Sequence, residues 1–225
     1  MRMKRSVIIV AGGKGLRMGT QMPKQFLSIG GVPVLCRTVN RFLEFDPDIK
    51  IFISLPKAYF EVWEKISDGF LSSGDITLVE GGQERFHSVK NALDKVPDDV
   101  DFVGVHDGVR PFVSVKVIAS AYASAALKGN AVPCIAPPES IRFCEHEGSN
   151  YQLDRTKIKL IQTPQVFSLK TLRKAYQSPF NELFTDDASV VEKSGEKINL
   201  VDGERQNIKI TTFEDLNYAE FLLKK

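Results

Sequence analysis

Glycines and positive side chains occur together in a short segment near the amino terminus. The segment AGGKGLRMGTQMPK runs from Ala11 to Lys24 and also carries Lys14 and Arg17. Glycines allow unusual backbone dihedral angles and bring N–H groups close to an anion. The spacing matches neither the Walker A loop nor the dinucleotide pattern GxGxxG. The segment predicts a phosphate-binding loop, and the alternative is a glycine-rich turn whose cations are solvated.

The elements that must position this loop follow from hydrophobic periodicity. Short apolar runs predict strands at 6–11, 50–55, 76–80, 101–106, 131–135 and 162–167. Amphipathic stretches predict helices at 33–45 and 84–96, and a capping box at Thr212 predicts a last helix through Leu223. This alternation predicts an α/β fold, Rossmann-like in its layering, with a mainly parallel sheet and helices on both faces. Such sheets bind ligands at the carboxyl ends of their strands, where the glycine-rich segment falls.

The segment 137–159 breaks this alternation. It contains two prolines, several charges, Gly148 and Asn150, and little apolar periodicity. Such a stretch is either a disordered loop or a hairpin arm that something outside the monomer stabilises. The rest of the chain contains no internal repeat and no flexible linker, so we expect one domain over residues 1–225.

Composition excludes several classes of protein. The net charge of +2 argues against a nucleic-acid-binding protein, and no apolar run approaches the roughly 18 residues of a membrane span. Cys36, Cys134 and Cys144 are odd in number and lack metal-ligand spacing, which predicts reduced thiols and a cytoplasmic location. The histidines are equally scattered, so we expect no zinc site.

Several further segments follow the glycine-rich one in order along nearly the whole chain. They are GGQERFHSV (81–89), VHDGVRPF (105–112), Asp154-Arg155, QTPQVF (162–167), TDDASVVE (185–192) and NIKIT (207–211). The opening AGGKGLRMG…MPKQFLSIGGVPVL resembles the pyrophosphorylase-type nucleotidyltransferases. The whole set resembles the 2-C-methyl-D-erythritol 4-phosphate cytidylyltransferases. The resemblance implies transfer of CMP from CTP to this sugar-alcohol phosphate, with release of pyrophosphate, in non-mevalonate isoprenoid biosynthesis.

The resemblance implies roles on the nucleotide side. Arg17 and Lys24 match the residues that stabilise the charge developing on the triphosphate in the transition state. The residues implied to bind the nucleotide are Ala11, Gly12, Gly13, Gly15, Gly82, Ser88 and Asp107. Gly82 and Ser88 would surround the cytosine, although the Ser88 hydroxyl could instead bond locally within its helix.

A Mg²⁺ ion is the cofactor that we expect. Asp107 follows an apolar strand, and a carboxylate beside a triphosphate suits this hard ion, which prefers oxygen ligands and bridges phosphates. The alternative is that Asp107 caps the turn at Gly108. The neighbouring His106 is expected to be a packed strand residue, because the attacking phosphate needs no base.

Other residues are implied to hold the second substrate. Arg155 and Lys209 match the residues that position methylerythritol phosphate, and Arg110, Ser140 and Thr163 are implied to bind it. A guanidinium fork and an ammonium suit a phosphate monoester. Alternatively, Arg110 is an ordinary surface charge and Lys209 an ordinary exposed lysine.

Lys209 lies in a run, 207–211, that predicts a strand. Ile208 and Ile210 flank it, so alternation places Lys209 on the opposite face from both isoleucines.

The resemblance also implies that the segment 137–157 is an arm of a homodimer whose active site draws on both chains. The sequence departs from the family where Pro138-Glu139-Ser140 replaces a valine-aspartate-threonine-like run, and the 12–17 loop is one residue longer than in some members. Two other functions remain open. One is ribitol-5-phosphate cytidylyltransferase, which shares the glycine-rich loop and QTPQ, and the other is a nucleotide-binding regulator without turnover.

Overall fold

Aliphatic runs form most of the strands. The computed structural model describes residues 3–13, 22–71, 74–145 and 148–224. Its strands are β1 (Arg5–Val10), β2 (Ser28–Ile29), β3 (Val32–Pro33), β4 (Lys50–Leu55), β5 (Ile76–Glu80), β6 (Phe102–Asp107), β7 (Asn130–Ile135), β8 (Ile141–Cys144), β9 (Asn150–Leu153), β10 (Leu160–Ile161), β11 (Gln165–Ser168) and β12 (Leu200–Asp202).

The amphipathic stretches form the helices between these strands. They are α1 (Val34–Phe45), α2 (Phe60–Ser67), α3 (Arg85–Leu93), α4 (Val115–Lys128), α5 (Leu169–Ala175), α6 (Asp187–Lys193) and α7 (Phe213–Leu223). The predicted capping box at Thr212 is confirmed, because its side chain accepts from the Asp215 N–H and Asp215 bonds back to the Thr212 N–H. None of the described helices has both the length and the apolar character needed to cross a bilayer.

The central sheet has β1 in its middle. Its order is β10-β7-β11-β6-β1-β4-β5, and β12 pairs with β7. Strands β6, β1, β4 and β5 run parallel, whereas β11 runs antiparallel between β6 and β7. The prediction of a mainly parallel α/β sheet is confirmed.

Two sequence predictions about strands need correction. The predicted strand 162–167 is shorter and shifted, because only Gln165–Ser168 pairs with the sheet and Leu160–Ile161 forms the separate β10. The predicted strand 207–211 does not form. There the Ile210 N–H bonds to the Val109 carbonyl, while the Ile208 N–H bonds within a tight turn to Gln206, so no ladder builds up.

Helices cover both faces of the sheet, as predicted. Val7 and Ile9 of β1 pack in the cluster with α1 and α4, and Ile8 packs on the opposite face with α3, α5 and α6. All three side chains are fully buried. Burial of each such side chain stabilises the fold by about 1.5–3 kcal/mol, which anchors the strand that leads into the glycine-rich segment.

The segment 137–157 contains the predicted hairpin. Strands β8 and β9 pair with each other in a two-stranded sheet of their own. Phe143 and Tyr151 face each other across it with ring centroids 5.4 Å apart, and each remains about half exposed. An isolated two-stranded hairpin is marginal in water, so this arm lacks packing that the core elements have.

Candidate active site

A cavity of about 570 Å³ lies at the carboxyl ends of β1, β5 and β6. The turn after each strand contributes to its wall, which is the ligand-binding edge of an open α/β sheet. The structure brings together there these residues that the sequence singled out: Ala11, Gly12, Gly13, Lys24, Gly82, Ser88, Asp107 and Lys209. Gly15 and Arg17, which were assigned to the same loop, lie outside the described residues.

A larger cavity, of about 1000 Å³, lies at the opposite end of the sheet. Three of its cationic side chains form ion pairs, Lys4 with Asp99, Arg5 with Asp46 and Lys50 with Asp75. The predicted binding residues line the smaller cavity, which is therefore the candidate active site.

Lys24 is carried by a three-residue 3-10 helix, Lys24–Phe26. Its neighbour Gln25 is buried and donates from Nε2 to the Ala11 carbonyl at 2.7 Å. Phe26 is buried as well and packs edge-on against Tyr59. The two anchors hold this turn against the start of the glycine-rich segment, so Lys24 stands at the cavity on a fixed support.

Close backbone packing requires glycine at position 82. A Cβ there would lie 2.3 Å from the Cβ of His87, which is far inside van der Waals contact. The Gly82 N–H donates to the Oγ of Ser88 at 3.0 Å. The buried Ser88 hydroxyl therefore bonds to the turn before its helix, and a hydroxyl that accepts one bond can still donate its own proton.

Asp107 is the centre of a charged cluster. Its Oδ2 lies 3.0 Å from Arg110 Nε and 3.2 Å from Lys209 Nζ, while its Oδ1 lies 3.8 Å from Arg85 Nε. Burial alone would raise the pKa of the Asp107 carboxyl, but Arg85, Lys209 and Arg110 together hold it well below its usual range. Asp107 is thus an anion at neutral pH. It forms ion pairs with Arg110 and Lys209, the two cations that the resemblance implies bind the second substrate.

His106 and Thr163 support Asp107 from inside the fold. The Thr163 Oγ1 accepts from the Asp107 N–H at 3.1 Å and lies 2.9 Å from His106 Nδ1, and His106 Nε2 lies 3.2 Å from the Arg110 carbonyl. The Arg110 carbonyl can only accept a hydrogen bond, so the ring proton is on Nε2. The Thr163 hydroxyl then donates to the unprotonated Nδ1. Burial lowers the pKa of His106 to about 4, so the ring is neutral. Thr163, predicted to bind substrate, is buried and holds Asp107 in place.

Two amide side chains fix the loop that carries Lys209. Gln162 donates from Nε2 to the Glu204 carbonyl at 2.8 Å, and its Oε1 accepts from the Glu204 N–H. Asn207 donates from Nδ2 to the Thr163 carbonyl at 2.8 Å, and the backbone carbonyl of Asn207 accepts from Arg110 Nη1. Residues 207–211 form no strand, so the predicted alternation does not apply. Ile210 is buried and Ile208 partly buried, while Lys209 is exposed to solvent and its Nζ lies 3.2 Å from Asp107 Oδ2.

Arg155 and Ser140 lie apart from this cluster. Arg155 begins a short 3-10 helix after the hairpin and donates from Nη1 to the Pro138 carbonyl at 2.7 Å. Both residues are exposed, and within the described part of the chain neither lines the cavity. The chain alone therefore does not bring these two predicted residues to the other site residues.

Arg85 is a charged residue of the site that sequence reasoning missed, and Asp187 is its buried partner behind the cavity wall. Arg85 lines the cavity and donates from Nη2 to Asp187 Oδ2 at 2.7 Å, and Tyr176 donates its hydroxyl to Asp187 Oδ1 at 2.6 Å. Burial raises the pKa of the Tyr176 hydroxyl, and the Asp187 charge raises it further. The sequence did contain one indication of Asp187, because the acidic pair in TDDASVVE precedes an apolar helix. The partner of a buried carboxylate, however, cannot be predicted from the sequence.

The donor chemistry of Asp107 suits a Mg²⁺ ion held mainly by phosphate oxygens. Among the described residues, no group of three His, Cys, Asp or Glu side chains gathers into a metal site. Magnesium is commonly bound by one or two carboxylates together with substrate phosphates and water, which a single carboxylate at this edge satisfies.

The fold and the cavity are those of an α/β protein that binds a phosphorylated ligand, with glycine turns, a lysine and a carboxylate at one edge of the sheet. The model of the 2-C-methyl-D-erythritol 4-phosphate cytidylyltransferase family matches residues 6–225. The chain therefore belongs to this family. A relative of that name from Phocaeicola vulgatus is 48% identical over 221 residues, which are 98% of this chain and 100% of the relative.

Solved structures give the same result. The 4-diphosphocytidyl-2C-methyl-D-erythritol synthase of Anaerococcus prevotii matches with a TM-score of 0.86 at 27% identity, covering 99% of this chain and 97% of that one. The 2-C-methyl-D-erythritol 4-phosphate cytidylyltransferase of Thermus thermophilus matches with a TM-score of 0.78 at 30% identity, covering 99% and 100%.

Proposed function

We propose that this enzyme transfers CMP from CTP to 2-C-methyl-D-erythritol 4-phosphate, giving 4-CDP-2-C-methyl-D-erythritol and pyrophosphate in non-mevalonate isoprenoid biosynthesis. A phosphate oxygen of the acceptor attacks the α-phosphorus of CTP, and the bond from that phosphorus to the bridging oxygen of pyrophosphate breaks. The observation that carries the proposal is the cation cluster around Asp107, which faces a glycine-lined cavity in a chain of this family.

Charge neutralisation is the main catalytic task, because both reactants are anions. Lys24 would stabilise the charge that develops on the α-phosphoryl oxygens and the pyrophosphate, together with Arg17. Arg110 and Lys209 would take the acceptor phosphate. His106 would take no proton, since it is buried and neutral and the attacking oxygen is already ionised.

Cytosine selection is assigned to the turn at Gly82. Backbone groups at Gly82 and the hydroxyl of Ser88 would form hydrogen bonds with the edge of the base. Close packing of Gly82 on His87 and the bond from the Gly82 N–H to Ser88 hold the turn in the position that this requires. A base with the wrong edge leaves such buried groups unpaired, at a cost of about 1–3 kcal/mol for each lost bond.

Asp107 would hold Mg²⁺ together with the nucleotide phosphates. The ion would polarise phosphoryl oxygens and neutralise part of the triphosphate charge. Because Asp107 already has three cationic neighbours, we expect the ion to bind with the nucleotide rather than to the protein alone.

A homodimer would bring the arm residues into use. The exposed rings of Phe143 and Tyr151 suit an apolar contact with a second copy, and a twofold-related arm would offer Ser140 and Arg155 to the partner's acceptor substrate. We also propose a cytoplasmic location, which the unpaired Cys36, Cys134 and Cys144 support.

Product formation with each pair of substrates tests the assignment. CTP with methylerythritol phosphate should give the CDP product, and replacing CTP by UTP should lower kcat/KM by at least about tenfold. Faster reaction with ribitol 5-phosphate would favour the related cytidylyltransferase. Absence of pyrophosphate release with every pair, in the presence of Mg²⁺, would favour a regulator without turnover.

A further inference from the structure

Arg85 contacts two carboxylates at once, Asp107 at the cavity and Asp187 in the interior behind it. Its Nη2 donates to Asp187 Oδ2 at 2.7 Å, and its Nε lies 3.8 Å from Asp107 Oδ1. Asp187 is fully buried and receives the Tyr176 hydroxyl on its other oxygen, so it is held in place from two sides. Arg85 is therefore fixed from the interior of the protein, while its side chain also lines the cavity.

The other two cations approach Asp107 differently. Arg110 and Lys209, here called the acceptor-side cations, both contact Oδ2, and Arg85 approaches Oδ1. Lys209 keeps 44% of its side chain exposed, so it is open to an incoming anion. A buried carboxylate that loses its cations is strongly unfavourable. Release of the acceptor-side cations to a substrate therefore leaves Arg85, on Oδ1, as the counter-ion that the protein itself keeps at Asp107, in addition to any Mg²⁺ that arrives with the nucleotide.

We propose that Arg85 is a positioning residue that remains with Asp107 as its counter-ion while the acceptor-side cations transfer to the phosphate group of the acceptor. This role rests on the proposed function. Asp107, Asp187 and Arg85 keep their mutual contacts throughout. Arg110 and Lys209 leave Asp107 when the substrate phosphate binds and return to it when the product leaves. Without Arg85, Asp107 would hold the acceptor-side cations more tightly and acceptor binding would weaken.

Two variants separate this role from a merely structural one. Asp187→Asn removes the buried anion but leaves the Arg85 charge beside Asp107. The double variant Arg85→Gln with Asp187→Asn removes both charges, so no buried carboxylate at position 187 is left unpaired. We expect the acceptor KM to stay within about threefold of the parent in the single variant and to rise about tenfold in the double variant. The CTP KM should change by less than about threefold in both.

Equal increases of the acceptor KM in the two variants would overturn the proposal, because Arg85 would then matter only through Asp187. A parallel rise of the CTP KM would also overturn it, since Arg85 would then be a nucleotide contact. Arg85→Lys keeps the charge but not the fork, and its acceptor KM should lie between those of the two variants. Melting temperatures report whether each variant is folded, and Arg85→Lys decides the question if the double variant is not.

Calorimetric titration with inorganic phosphate tests the same step without turnover. The double variant should bind phosphate about tenfold more weakly than Asp187→Asn. If the parent protein makes no product but this difference in phosphate affinity is found, the assigned reaction is wrong and the role of Arg85 stands. If the parent is active but the two variants bind phosphate equally, the role of Arg85 is wrong and the reaction stands.

Discussion

At the scale of single residues, Lys24 is the described cation whose role is simplest to isolate. It begins a 3-10 helix directly after Pro23, and Lys57 begins another directly after Pro56. Pro56 lines the cavity, but Lys57 does not. Lys24→Ala should lower kcat by about 10²–10³ because it removes a preorganised charge from the transition state. Lys57→Ala is the matched control and should retain parental kcat and melting temperature. Near-full turnover of Lys24→Ala would refute the assigned role.

His106 should make the stability of the protein depend on pH. Its pKa is about 4 in the fold and 6.5 in the unfolded chain, so the unfolded state binds more protons between these values and stability falls as pH falls. Between pH 7 and pH 5 the free energy of unfolding should drop by about 2 kcal/mol through this group. Urea unfolding of the parent and of His106→Gln at both pH values measures the difference. Equal drops in the two proteins would contradict the burial of a neutral ring.

Site residues that directly follow a strand could be predicted from the sequence. Site residues whose position depends on a partner far away in the chain could not. Asp107 and Gly82 follow strands, so their meeting at one edge of the sheet was predictable. Arg85 was missed because its partner Asp187 lies 102 positions later and the pairing depends on the packing of α6. The bond from the Asp107 N–H to the buried Thr163 hydroxyl was not predictable either, because it joins residues 56 positions apart.

At the scale of elements, α6 links helix capping to the site. Asp186 caps it by accepting from the Ser189 N–H, and Asp186 also accepts from Gln165 Nε2. Asp186→Ala should cost about 1–2 kcal/mol of stability. It should also lower activity several-fold, because loss of the cap shifts the start of α6 and moves residue 187 away from Arg85, whereas Asp187→Asn leaves an acceptor for Arg85 in place. Ser114→Ala removes the cap of α4 on the opposite face of the sheet and should lower stability by about 1 kcal/mol with kcat unchanged.

Urea unfolding of both capping variants measures the loss of stability, and steady-state kinetics measure the change in kcat. A parental kcat in Asp186→Ala would show that the helix does not contribute to catalysis.

The contrast between local and long-range contacts also explains which elements were predictable from the sequence. The capping box and the long aliphatic runs gave bounds within one residue because they act locally, whereas the helix predicted over 84–96 ends at Leu93. The run at 207–211 alternates like a strand, but its bonds go to a turn and to Val109, which only the assembled fold provides.

At the scale of the whole molecule, the proposed homodimer depends on the arm. Phe143→Ser together with Tyr151→Ser removes the two exposed rings from the hairpin without touching the cavity. We expect sedimentation to show a dimer for the parent and a shift toward monomer for the double variant, with a fall in the use of methylerythritol phosphate. Leu127→Ser, on an exposed position of α4, is the control and should remain dimeric. A parent that sediments as a fully active monomer would rule out a shared site.

The central position of β1 and β6 has a consequence for how the protein is made. The cavity combines residues from Val10 to Lys209, and β6 receives its second neighbour only when β11 has been synthesised. At a synthesis rate of about 5–20 residues per second, roughly 3–12 s pass between the translation of Asp107 and that of Ser168, the last residue of β11. During that interval the growing chain on the ribosome exposes an unpaired apolar strand edge, which is the kind of surface that chaperones bind and that aggregates at high expression.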